Sequence, residues 1–147
     1  MPDLYLIAQV AGRAVAIESN QVESVVDIGE ITAVPRVSSH IRGLAALRSR
    51  VVTVVDTPAA LGLPGSGGTL RRAIITVLDG HHYAMLVDAL EDVTPFDLQP
   101  IGAGGSALDS AWRAAGLGIV ERDGEPVLAI DLHRLIPGHA QSNHQVH

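Results

Sequence analysis

The chain is a run of short Val- and Ile-rich segments, each ended by a turn signal, and the run occurs twice. "LYLIAQV" (4–10) and "AVAIE" (14–18) flank Ala11-Gly12-Arg13, the pattern of a β-hairpin. "VESVVDI" (22–28) reads as a further strand, and "GLAALR" with "VVTVVD" as a second hairpin turning about Ser49-Arg50. "TPAALGL" (57–63) reads as a short helix, with Thr57 at the N-cap, Pro58 at the first helical position and Gly62 at its end. After "PGSGG" (64–68) the series restarts: "RRAIITVL" and "YAMLVDAL" flank Asp79-Gly80-His81-His82, and "LEDVTPF" follows as "VESVVDI" did before. "GLGIVE" and "PVLAIDL" flank Arg122-Asp123-Gly124-Glu125, and "LHRLI" closes with a short helical turn.

The two halves superpose at an offset of about 70 residues, a weak internal duplication. Gly12 matches Gly80, Glu18 matches Asp88, Val22-Glu23 matches Leu90-Glu91, Pro35 matches Pro100, Gly43 matches Gly116 and Asp56 matches Asp131. Each half carries about five strands of ordinary length. Short twisted strands leave edges that aggregate unless they are covered, and closure into a small barrel removes them. The expected fold is therefore all-β, two packed five-stranded β-barrels with short helices and a groove between them. The chain is one domain over 1–147, with sub-barrels at 1–63 and 69–137 joined by the Gly-rich loop 64–68. Residues 138–147, polar and terminal, are expected to form a disordered tail. Val51 to Val55 are expected to fill the first barrel.

Composition removes several kinds of chemistry. Aromatic residues are only 3%, so stacking on bases is not the main activity, and a net charge of −6 argues against nucleic acid or an anionic membrane as partner. All ten basic residues are arginine, which excludes a Schiff-base lysine and a P-loop lysine. With no cysteine there is no thiol nucleophile, disulfide or Cys-zinc site. The start lacks the positive segment of a signal peptide, and no apolar run is long enough for a membrane helix, so direct membrane insertion is not expected and the cytoplasm is the default location.

Local motifs add little chemistry. "IGAGGSA" (101–107) fits a dinucleotide fingerprint, but Pro100 precedes it in an all-β context where that motif needs a βαβ unit. His81 and His82 are adjacent, so on a strand they point to opposite faces and do not share a metal ion. His139, His144 and His147 belong to the tail. Ser38-Ser39-His40 lacks the strained turn of a hydrolase nucleophile, and a helix-capping role for Ser38 or Ser39 is simpler. Asp56 and Asp131 each end an apolar strand and precede a short helix, which suits capping rather than acid–base work. Arg48 and Arg50 flank Ser49 at a hairpin end and face one side; they are either solvated turn residues or a cationic anchor for a partner. No metal site, cofactor or catalytic residue is expected.

"IRGLAALRSRVVTVVDTPAALGL" resembles the signature of CheW-like domains, and "GHHYAMLVDALEDV" and "GLGIVERDGEPVLAIDLHRLI" resemble that family's later segments. The resemblance runs from Tyr5 to Ile136. It implies two SH3-like five-stranded barrels and a non-enzymatic adaptor coupling chemoreceptor cytoplasmic tips to the CheA histidine kinase. In the family, receptor helices dock in the groove between the barrels, and the kinase's regulatory domain pairs with barrel ends. Arg48 aligns with the motif arginine of the receptor site and Val22 with an apolar contact. Ser24 stands where receptor-binding members carry Glu, with Glu23 beside it. Arg48, Val22, Glu23 and Ser24 are thus the receptor-binding residues that the resemblance implies; it names no kinase-binding residue. The same resemblance implies recruitment from the cytoplasm to receptor arrays. Ala46, Ser49 and Thr53 replace the motif's Asn, Gly and Pro. An alternative with the same fold is a regulatory module of a non-chemotaxis histidine-kinase pathway, and a third is a small-ligand-binding or enzymatic barrel.

Overall fold

The computed structural model describes residues 2–35, 37–63, 70–101 and 110–137, without the side chains of 110 and 111. The Gly-rich joint 64–68, most of the fingerprint-like stretch (102–107) and the tail 138–147 lie outside the described residues.

Ten strands follow the turn signals closely. They are β1 (Asp3–Val10), β2 (Arg13–Glu18), β3 (Ser24–Asp27), β4 (Ile41–Leu47), β5 (Arg50–Val55), β6 (Arg72–Leu78), β7 (His81–Val87), β8 (Ala89–Phe96), β9 (Gly116–Arg122) and β10 (Glu125–Ile130). Helices are short: α1 (Thr57–Ala60), α2 (Ser110–Ala115), and 3-10 turns at Ser19–Gln21 and Leu132–Leu135. The strands form two five-stranded sheets, ordered β8-β1-β2-β10-β9 and β3-β6-β7-β5-β4.

The sheets do not follow the division at 63 and 69. The first hairpin of each half crosses over and completes the sheet of the other half. β1 and β2 sit with β8, β9 and β10, while β6 and β7 sit with β3, β4 and β5. Four pairings make the exchange: the antiparallel β1 on β8 and β3 on β6, and the parallel β2 on β10 (Val15 beside Leu128) and β7 on β5 (Met85 beside Val55). All the other strand pairings are antiparallel.

The exchange places the central strands between two cores. Along β1, Tyr5 and Ile7 point into the first barrel with Val120, Val127 and Ala129. Leu6, Ala8 and Val10 point the other way, into a larger core shared by both sheets with Ile74, Met85, Val87 and Trp112. On β6 and β7, Ala73, Ile75, Ala84 and Leu86 fill the second barrel. A strand buried on both faces reads as a continuous apolar run rather than an alternating one. The β5 run is less complete than expected: Val52 and Val54 fill the second barrel and Val55 enters the shared core, but Val51 faces solvent at 65% exposure.

Each sheet closes on itself through one bridge from the chain beyond its first strand. Thr32 pairs with Leu44 of β4, and Gln99 pairs with Ile119 of β9. Beside each bridge stands a glycine. A β-carbon on Gly43 would collide with the Thr32 carbonyl, and one on Gly118 with the Gln99 carbonyl. Each glycine also adjoins a register shift that bends its strand, between Ile41 and Gly43 and between Gly116 and Gly118. The structural equivalent of Gly43 is therefore Gly118, not Gly116.

Asp56 and Asp131 cap the helices that end the two halves. Asp56 Oδ1 accepts the Ala59 N–H at 3.2 Å and Asp131 Oδ1 accepts the His133 N–H at 3.0 Å. Asp56, not Thr57, is the N-cap of α1; Thr57 is already helical, and its buried hydroxyl has no hydrogen-bond partner among the described residues. Gln21 then links the halves, donating to Asp131 at 2.6 Å and accepting the Leu132 N–H at 3.0 Å. Ser38 caps no helix: its hydroxyl accepts the His40 N–H at 3.1 Å in a turn leading directly into β4.

Three glycines separate the effects of space and backbone. Gly12→Ala, with φ +79° and open space around it, isolates the backbone cost of about 1–2 kcal/mol. Gly118→Ala isolates overpacking at the closure, about 1–3 kcal/mol. Gly43→Ala combines both, at φ +145°, and is expected to lose about 2–5 kcal/mol. Urea unfolding midpoints give the order, and a Gly43→Ala protein as stable as Gly12→Ala would overturn the closure account.

Candidate functional site

Three of the four residues singled out by the sequence meet in one cleft. Glu23, Ser24 and Arg48 line it together with Arg50 and His82, over a floor that includes Leu47, Val26 and Ile75. Its volume is about 290 Å³. Every strand that contributes belongs to the second sheet, and Ile75, Val26 and Leu47 belong to or pack on the second barrel's core. The cleft is thus the mouth of one barrel, not the seam between two. Val22 stands outside the lining; it is half-buried and packs on the shared core.

The backbone fixes the cleft walls. The Glu23 N–H donates to the Ile75 carbonyl at 2.8 Å, extending the β3–β6 ladder by one residue and holding the carboxylate over β6. On the opposite wall Leu47 pairs with Arg50, leaving Arg48 and Ser49 as a two-residue turn. This turn differs from the other three two-residue turns. Ala11-Gly12, Asp79-Gly80 and Asp123-Gly124 all have positive φ at both positions, 51–53° then 78–82°, the type I′ pattern with glycine second. In the fourth turn only Arg48 is positive, at 60°. That is the sign pattern of a type II′ turn, whose first position favours glycine. Ser49, standing where the resemblance places glycine, avoids positive φ; the first position is positive in all four turns, and here an arginine occupies it. The strain of positive φ, at about 1–2 kcal/mol for a residue with a β-carbon, persists where surrounding structure or function retains it.

The charges in the cleft are unevenly paired. Glu23 Oε1 lies 3.7 Å from Arg50 Nη1, and Glu23 Oε2 lies 3.2 Å from His82 Nε2. Arg50 Nη1 also contacts His82 Nε2 directly. Arg48 is exposed, and among the described residues no carboxylate pairs with it. Exposed ion pairs of this kind contribute at most about 1 kcal/mol each to stability, so the cluster orients side chains more than it holds the fold.

Arg50 and His82 are absent from the site residues that the resemblance implies. Arg50 reads in the sequence as either a solvated turn residue or a cationic anchor and His82 as part of a turn, whereas the turn is Asp79-Gly80 and His82 lies on β7. Only the parallel β5–β7 pairing brings Arg50 near His82, and no local pattern encodes that register. Among the described residues no group of three His, Asp or Glu side chains could hold a metal ion, and no helix is long and apolar enough to cross a membrane.

Comparison with known proteins is consistent with this architecture. The family model of the CheW-like domain matches residues 4–139. The chain is similar to the chemotaxis protein CheW of Thermotoga maritima, 22% identical over 124 residues, covering 84% of this chain and 81% of the relative. It is also similar to the chemotaxis protein CheW of Rhizobium meliloti, 27% identical over 110 residues, covering 72% of this chain and 69% of the relative. Among solved structures, the crystal structure of the scaffolding protein TtCheW from Thermoanaerobacter tengcongensis superposes with a TM-score of 0.79 at 26% identity, covering 93% of this chain and 94% of that one.

If Arg48 carries the strain of the turn, Arg48→Gly relieves it while Arg48→Ala does not. Arg48→Gly is expected to be about 0.5–1 kcal/mol more stable than Arg48→Ala in urea unfolding. A glycine variant less stable than the alanine variant would show that the turn is not strained at this residue.

Proposed function

The chain belongs to the CheW-like domain family, and from that premise we propose that it is an adaptor linking chemoreceptor cytoplasmic tips to the CheA histidine kinase. It works by contact and performs no chemical step. The observation that carries this reading is Arg48: an exposed guanidinium with no carboxylate partner among the described residues, held at positive φ on the rim of a cleft with an apolar floor. A planar cation beside apolar surface is the composition of an interface anchor, because the guanidinium takes a carboxylate while its stem and the floor take apolar side chains. The relatives named above, described as a chemotaxis protein and a scaffolding protein, support the same direction.

In this reading Arg48, Glu23 and Ser24 face the receptor tip, and Val22 supports the wall from the core side. The receptor is the membrane-bound component, so the adaptor works in the cytoplasm and reaches the membrane only through receptor arrays. A second reading is favoured by the cleft's position at the end of one barrel: the same anchor faces the kinase's regulatory domain, which in family members meets barrel ends.

Co-sedimentation with the receptor tip and with the kinase regulatory domain, tested separately, decides between the two. Arg48→Glu is expected to weaken receptor-tip binding by roughly tenfold or more, as for a hot-spot charge reversal, while the circular dichroism and unfolding midpoint stay near those of the parent chain. Loss of kinase binding with receptor binding intact would assign the cleft to the kinase, and no loss of either would remove Arg48 from the interface.

A further inference from the structure

The Glu23–Arg50–His82 cluster contains a conflict that one proton resolves. His82 Nε2 is in contact with Arg50 Nη1 and lies 3.2 Å from Glu23 Oε2. A guanidinium only donates hydrogen bonds and a carboxylate only accepts them. Nε2 cannot accept from Arg50 with its lone pair and donate to Glu23 with a proton at the same time. The contacts therefore belong to two exclusive arrangements. With the Nε2 lone pair free, Arg50 donates to it and is held against the wall. With Nε2 protonated, His82 donates to Glu23 in either the neutral Nε2–H tautomer or the imidazolium, and the imidazolium also repels Arg50, which keeps only its 3.7 Å approach to Glu23 Oε1.

We propose that Arg50 is a second carboxylate anchor of the cleft, held in reserve while the Nε2 lone pair of His82 is free to accept from it and released toward a partner when His82 takes a proton. This inference deepens the docking reading above and rests on it for the partner, an acidic surface of a docking protein. The charged groups facing His82 are Glu23 at the entry to β3, Arg50 on β5 and Arg48 on the neighbouring turn. On the β6 side its cross-strand partner is the apolar Val77; along β7 its neighbours are the exposed His81 and the half-buried Tyr83. Protonation takes the cleft from one excess positive charge to two. A proton gained at His82 adds to the pull on carboxylates, so the cleft binds acidic partners more tightly as the pH falls. Arg50 is 54% exposed at its side chain, free enough to swing without repacking the core.

The test uses the full chain and two readouts that do not depend on any receptor. The first is the arginine Nε–Hε NMR spectrum from pH 8 to 5, with Arg50→Gln identifying the Arg50 signal. That signal is expected to titrate in the parent chain and stay flat in His82→Gln. A flat signal in the parent, or the same titration in His82→Gln, overturns the switch. The second is binding of a synthetic pentaglutamate peptide at pH 7.5 and pH 6. Affinity is expected to rise roughly twofold to fivefold on acidification in the parent chain, the scale of one exposed charge pair. It is expected to rise less in both His82→Gln and Arg50→Gln, and equal rises in all three overturn the anchor. If both readouts behave as expected and the receptor tip binds at neither pH, the switch stands and the receptor reading falls.

Discussion

Two parallel strand pairs, β2 on β10 and β7 on β5, hold the molecule in its form. Each joins a hairpin from one half of the chain to a hairpin from the other. Without them each sheet is a three-stranded and a two-stranded piece joined only by its closing bridge, and a lone two-stranded hairpin is at best marginally stable in water. With them in place, β1, β2, β5, β6, β7 and β10 each contribute to a barrel interior and to the shared core. Burial on both faces accounts for the nearly unbroken apolar runs in a chain with so few aromatic residues: aliphatic side chains fill most of the two narrow barrels and the wider layer, with the rings of Tyr5 and Trp112 among them.

The sequence displays the local part of this plan. Four tight hairpins, the capping carboxylates Asp56 and Asp131 and the duplication all follow from neighbouring residues, and all are present. The exchange of hairpins is absent from any local pattern, because a duplicated sequence pairs equally well within its own half or with the other. The choice between Gly116 and Gly118 as the partner of Gly43 is lost for the same reason: it depends on which strand the chain at Gln99 reaches. Val51 looks like a core residue because its neighbours are, and only the position of the β5 register outside the barrel sends it to solvent.

The candidate site was half legible. Arg48, Glu23 and Ser24 drew notice through a family resemblance and lie on one cleft. The association of Arg50 with His82 gave no signal, since it runs through a parallel register between residues far apart in sequence. The glycine bias of tight turns gives Arg48 a physical meaning beyond the resemblance. At a first turn position with positive φ, an arginine is worse for stability than glycine, a cost that Ala11 bears at the same position of its own turn.

The crossed hairpins also bear on how the chain reaches its native state. Hairpins β1–β2, β4–β5, β6–β7 and β9–β10 close over two-residue turns and can form early. The pairing of Val15 with Leu128 needs nearly the whole chain to be present. Such contacts raise the contact order and slow folding, because loop entropy is lost before the long-range contact returns any stability. On a ribosome the first hairpin therefore emerges without its sheet and waits, its apolar faces uncovered, until the last strand has been made.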